Sequence, residues 1–166
     1  DHNSDVPDEL IGRILNVPET WLKTKKLIEI LAKNKVDLIT ITNHNNARSC
    51  WELLDKGYDV LVGTEFSVMV PDFGIGIHVL AYGFTPEQET MLNKYRKNVY
   101  SFQQFAVENQ IPTIWAHPLY HYKGDGKINP GFFNKMALIF ERFEMLNGQR
   151  DTWQNLLVNR WVESLT

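Results

Sequence analysis

The sequence predicts an α/β domain, part or all of a barrel-like sheet of mainly parallel strands with helices outside it. Three observations predict this. Runs rich in β-formers alternate with runs of helical period along nearly the whole chain, the order that a parallel sheet with crossover helices requires. One connection, residues 71–76, is shorter than the ~10–12 residues of a crossover, so the strands it joins must form an antiparallel hairpin. Polar side chains that bind metals gather just beyond strand ends, where parallel α/β folds place their ligands. The strand candidates are too few to close a barrel of the usual eight strands, and the chain reads as an arc of one.

Residues 17–36 read as a helix, with Pro18 and Glu19 suited to its first turn and Leu27, Ile28 and Leu31 on one face. Lys23, Lys25, Lys26, Lys33 and Lys35 fall mostly outside that face and form a solvated surface. Residues 36–42 are a short β-rich run stopped by Asn43-His44-Asn45-Asn46, and a helix over 47–56 comes next. The hairpin comprises strands over 58–70 and 77–84, with Gly74 and Gly76 serving turn chemistry. Thr85-Pro-Glu-Gln88 has the form of a capping box and opens one long helix to residue 109, its core face carrying Leu92, Tyr95, Val99, Phe102, Phe105 and Ala106. A strand over 111–116 ends at His117-Pro118. After a loop over 119–131 come a short helix over 132–139, a strand over 142–146 and a last helix over 150–165.

Composition bounds the function. With 166 residues, 43% hydrophobic and 22% charged, the chain is one domain over 1–166 with a sizeable core. A formal charge of −3 argues against a broad grip on nucleic acid or an anionic membrane. No apolar run approaches the ~20 residues that span a bilayer. Cys50 is the single cysteine, which excludes an internal disulfide and a multi-cysteine zinc site. A reducing, cytoplasmic compartment is the expectation. The N-terminus shows no signal peptide and opens on Asp1, as a processed or excerpted piece would. P-loop, dinucleotide and Gly-x-Ser-x-Gly patterns do not occur.

The candidates for chemistry converge by strand position. His44 lies beyond the strand over 36–42, and His117 directly succeeds the strand over 111–116. Glu65 lies inside 58–70, while Glu144 and Asn147 lie in and after 142–146. His78 begins its strand rather than ending it, but an antiparallel return strand starts at its partner's carboxyl end, so His78 joins the same rim. Imidazoles with a carboxylate are a ligand set for zinc, manganese or iron. Glu65 sits among apolar neighbours, where an ionised carboxylate needs a cation, a hydrogen-bond network or solvent. His121 reads as a loop residue, because Pro118 prevents a helical His-x-x-x-His geometry. His2 is terminal, and Cys50 reads as a buried, inert thiol.

At these residues the sequence resembles the polymerase-and-histidinol-phosphatase, or PHP, family. Ile41-Thr-Asn-His-Asn45 is similar to its Thr-Asp-His-Asp motif, Gly63-Thr-Glu65 to Gly-x-Glu, and His78-Val-Leu-Ala-Tyr-Gly83 to His-x-Leu-x-Tyr-Gly. Ala116-His-Pro118 resembles the Ala-His-Pro of a later family strand, and Phe143-Glu-Met-Leu-Asn-Gly148 the Glu…Asn-Gly strand of a subset. The stretch 1–10 resembles the segment just after the family's opening Asp-x-His-x-His.

The resemblance implies a distorted (β/α)7 barrel, two or three divalent metal ions, and hydrolysis of a small-molecule phosphate ester by metal-activated water. It implies His44, Glu65, His78 and His117 as metal ligands. Arg150 and Lys123 are candidates for phosphate oxygens. The chain departs from the family in three places. The opening Asp-x-His-x-His and the late Asp-x-His are not in the sequence, and Asn43 stands where the family has Asp. These departures leave two rival readings: a non-catalytic PHP-like module serving a partner or a neighbouring domain in a longer chain, and a metal-dependent amidohydrolase.

Overall fold

A computed structural model describes residues 23–121 and 129–165. Within them lie helices α1 (Thr24–Lys33), α2 (Arg48–Asp55), α3 (Pro86–Tyr95), α4 (Val99–Glu108), α5 (Pro130–Ala137) and α6 (Thr152–Glu163), and strands β1 (Thr40–Ile41), β2 (Leu61–Val70), β3 (Ile75–Tyr82) and β4 (Thr113–Trp115). The four strands form one sheet in the order β1-β2-β3-β4. β1 runs parallel to β2, and β3 is antiparallel to both β2 and β4. Three strands therefore share a direction and only the hairpin's return strand opposes them, as the short turn at 71–74 demands. Gly74 takes φ +62 at the end of that turn, a conformation glycine adopts without steric cost. The sheet is mixed and open, and the described residues do not close it into a barrel.

Several elements differ from the sequence expectation, each for a local reason. Residues 17–22 of the first helix lie outside the described residues. Where α1 ends, Lys35 turns to φ +54, and the Lys35 and Val36 amides bond back to Ala32 and Leu31 at 3.0 and 3.1 Å. The strand expected over 36–42 shrinks to β1, because pairing with β2 begins only at the Leu61 amide, bonded to the Ile39 carbonyl at 2.8 Å. Leu38, outside that ladder, is 66% exposed.

The single helix expected over 85–109 is two. Its Thr85 box closes as expected, with the Gln88 amide on the Thr85 hydroxyl and the Gln88 side chain on the Thr85 amide. The break comes after Tyr95: the Arg96 carbonyl accepts the Met69 amide of β2 at 2.8 Å, and Asn98 caps α4 by accepting the Tyr100 and Ser101 amides at 2.9 and 3.3 Å. The strand expected over 142–146 is reduced to one parallel bridge between Trp115 and Phe143.

Register divides the sheet's faces. Glu65 pairs with Leu80 and Ser67 with His78, so these four side chains share one face. Phe66 pairs with Val79 and Val68 with Ile77 on the other, which continues through Val79 to Trp115. That second face is the main core. Phe66 meets Phe102 of α4 with ring centroids 5.4 Å apart. Trp115 packs against Phe132, Phe133, Phe140, Phe143 and Trp161, which ties α5, the Phe143 segment and α6 to β4.

Gly63 sits where β1 and β3 crowd β2. A Cβ there would lie 2.6 Å from Thr40 Oγ1, 3.0 Å from Tyr82 Cδ1 and 3.1 Å from Thr42 Cγ2. Gly63→Ala should therefore destabilise the protein by about 1–3 kcal/mol through overpacking. A urea-unfolding midpoint equal to that of the wild type would show that Thr40 and Tyr82 yield at no cost.

Candidate metal centre

The loop that carries His44 is stitched to β2 beyond β1. His44 and Glu65 form a parallel bridge, in which the Asn45 amide donates to the Glu65 carbonyl and the Glu65 amide to the Asn43 carbonyl, both at 3.0 Å. Asn45, at φ +59, then clips onto the next β2 residue of the same face. Its Oδ1 accepts the Ser67 amide at 2.8 Å and its Nδ2 donates to Ser67 Oγ at 3.3 Å. Asn43, standing where the PHP motif has Asp, is buried and donates from Nδ2 to Ser49 Oγ at 3.0 Å. An amide at that buried position adds no second charge beside Glu65.

The helix after this loop starts at an Ala47 N-cap that has no side-chain acceptor, and the local help is a 3.3 Å bond from the Arg48 amide to Asn46 Oδ1. Glu89 of α3 supplies an acceptor from 42 residues away, taking the Ala47 amide on Oε1 at 2.8 Å, and its Oε2 accepts the Trp51 indole N–H at 2.7 Å. A carboxylate at a helix N-terminus is favoured by both the free amides and the helix dipole. Nothing local in the sequence marks Glu89 for this role.

Glu65 is the centre of the site. Only 5% of the residue is exposed, and its Oε1 lies 2.8 Å from His78 Nδ1 and 3.0 Å from His117 Nε2. The two nitrogens are themselves 3.3 Å apart. The ring of His44 lies 4.8 Å from that of His78, and the ligand atoms of His44, Glu65 and His78 all lie within 4.8 Å of one another. The structure thus brings together all four residues expected to meet at one rim.

The donor set fits a divalent cation. Bonds of ~2.0–2.2 Å around a tetrahedral ion place neighbouring ligand atoms about 3.3–3.6 Å apart. The triangle of Glu65 Oε1, His78 Nδ1 and His117 Nε2, with sides of 2.8, 3.0 and 3.3 Å, reaches that spacing when its shortest side opens by about 0.5–0.8 Å. Imidazole with carboxylate is compatible with zinc, manganese or iron.

A water-sized pocket is lined by His117, Tyr120, Glu144, Asn147 and Arg150. The Tyr120 ring lies 5.2 Å from that of His117, and the Arg150 guanidinium sits 4.1 Å above the same tyrosine. Arg150 is therefore beside the cluster, whereas Lys123 and His2 lie outside the described residues. His121 is in a loop, as expected. Cys50 is buried, and burial pushes its thiol pKa up, in keeping with an inert core residue. Burial likewise raises the Tyr82 phenol, with smaller contributions from the charges of Glu144 and Glu65.

No family model matches the chain, and no curated protein matches its sequence. Solved structures do share its fold. An amidohydrolase from Chromobacterium violaceum, with bound sulfate and no metal, superposes with a TM-score of 0.64 at 12% identity, over 86% of this chain and 78% of that one. A protein from Bifidobacterium adolescentis described, without demonstration, as a metal-dependent phosphoesterase gives 0.58 at 10% identity over the same shares. These likenesses establish a fold shared with proteins described as hydrolases. Among the described residues, no helix is long and apolar enough to cross a membrane.

Removing the borrowed cap should loosen the His44 loop. Glu89→Ala is expected to cost about 1.5–3 kcal/mol, since two donors lose a charged acceptor, with Glu89→Gln between it and the wild type. Thermal unfolding of the three proteins checks the order, and equal midpoints would remove Glu89 from the support of α2.

Proposed function

We propose that this chain is a metal-dependent hydrolase acting on a phosphate ester. The observation that carries the reading is the buried Glu65 carboxylate, one oxygen of which lies within 3.0 Å of two imidazole nitrogens. In this reading His44, Glu65, His78 and His117 would hold two or three divalent ions. Glu65 and His78 belong both to the triad with His44 and to the triangle with His117, so both residues would help to hold metal on either side. When bound, such ions supply Lewis acidity that brings a water's pKa towards ~7 and so provides hydroxide at neutral pH.

The chain's own residues hold and orient. Glu65 and His78 are buried, and packing around them holds their side chains at the site, which would limit reorganisation on metal binding. Arg150, stacked on Tyr120, presents a planar fork at the pocket wall next to His117, a geometry suited to paired oxygens of a phosphoryl group. Lys123 is a second candidate for the same oxygens. The Chromobacterium violaceum protein that shares this fold is described with bound sulfate and no metal. That protein is also called an amidohydrolase, and amide hydrolysis is accordingly the second reading.

Purified protein should contain divalent metal and lose phosphoesterase turnover on chelation, regaining it when metal is restored. Glu65→Ala and His117→Ala should each lower metal stoichiometry and reduce turnover by more than about 100-fold. Parallel assays on a phosphomonoester, a phosphodiester and an amide separate the readings. Turnover of the amide alone would favour the second reading. Wild-type metal content in both variants would remove these residues from the site.

A further inference from the structure

We propose that Glu144, clamped by Asn147, is the positioning residue for His117: it holds the histidine's backbone in the left-handed region and so turns its imidazole onto Glu65. The inference deepens the metal-site reading and rests on it for its effect on metal binding.

Strand alternation fixes where residue 117 would otherwise point. Leu80, on the Glu65 face, pairs with Ile114, and Val79, on the core face, pairs with Trp115. Ala116 returns to the Glu65 face, its amide bonded to the His78 carbonyl at 3.1 Å. An extended residue 117 would therefore point to the Trp115 side, away from Glu65. Yet His117 Nε2 lies 3.0 Å from Glu65 Oε1. The reversal coincides with a backbone anomaly, since His117 takes φ +30, which costs a non-glycine residue about 1–3 kcal/mol.

Something must offset that cost, and the contacts identify it. Leaving the sheet, the His117 amide donates to Glu144 Oε2 at 2.8 Å, a charge-assisted bond. Glu144 is itself fixed at both ends. Its amide donates to the Trp115 carbonyl at 3.0 Å, and Asn147 Nδ2 lies 3.2 Å from each carboxylate oxygen. Asn147 is in turn bound to α6, where the Asn155 side chain accepts its amide and donates to its carbonyl, both at 3.1 Å. The clasp thus runs from α6 through Asn147 and Glu144 to the turn at His117. A carboxylate that orients a ligand from behind is typically worth 10–100-fold in metal affinity.

The test uses the full chain with zinc alone as probe, reading zinc affinity by chelator competition and hydrogen exchange of the His117 amide. Glu144→Ala should weaken zinc binding about 10–100-fold and deprotect that amide. Glu144→Gln keeps an acceptor oxygen at the same reach and should retain the amide's protection, with affinity within about fivefold of the wild type. Wild-type affinity in Glu144→Ala overturns the proposal, as does an equal loss in Glu144→Gln, which would assign the effect to charge rather than position. If Glu144→Ala fails to fold, Asn147→Ala serves instead: it should deprotect the amide and weaken zinc several-fold, and wild-type values for both overturn the proposal. Should the wild type bind no zinc, the metal reading fails by itself, while exchange at His117 still decides whether Glu144 sets that turn.

Discussion

A carboxylate placed inside an apolar strand is the constraint on which the rest of this structure depends. Glu65 is flanked along β2 by Thr64 and Phe66, both fully buried, and burying an ionised carboxylate without partners costs several kcal/mol. Its partners come from three other segments, and each needs a different backbone device. His78 arrives by register alone, diagonal to Glu65 across the β2–β3 pair. His44 arrives because the loop after β1 continues alongside β2, bridged to Glu65 and pinned by Asn45 on Ser67. His117 arrives by breaking strand alternation at a positive φ.

The two faces of the sheet are coupled through the segments around β4. Trp115 anchors the aromatic cluster on the core face, and the residues immediately after it reach the polar face. The Phe143 segment that completes the cluster also delivers Glu144 to the His117 amide. Trp161 holds α6 against Trp115, while Asn155 of the same helix holds Asn147. Packing in the core therefore sets the position of a polar side chain on the opposite face.

The range of each interaction decides whether it was legible in the sequence. The hairpin was readable because a short connection admits no crossover, and with it came the placement of His78. The Thr85–Gln88 box and the buried Cys50 are equally local. The break between α3 and α4 was masked, because helical spacing runs through Arg96 past the local Asn98 cap, and the Met69 amide that draws the Arg96 carbonyl away lies on another element. Glu89 escaped for the same reason: its targets at Ala47 and Trp51 lie about 40 residues earlier. Strand propensity over 36–42 and 142–146 was real but found little to pair with. β1 extends only where β2 exists beside it, and the Phe143 segment makes one bridge.

In the proposed hydrolase, fold and chemistry would separate at the Arg150 pocket rather than at the histidine cluster. The neighbours named as an amidohydrolase and as a phosphoesterase share this backbone at 12% and 10% identity, so the arrangement of strands is common to both names. A cluster of imidazoles around one carboxylate serves either reaction, because both need an activated water and a polarised oxygen. The reactions differ in what leaves and in the charge that must be held. A phosphoryl group spreads negative charge over several oxygens, whereas an amide develops it on one. A guanidinium with parallel donors, stiffened by stacking on Tyr120 and set next to His117, answers the first need better than the second. In the proposed hydrolase, Arg150 and the pocket around it, more than the histidines, would therefore decide substrate class.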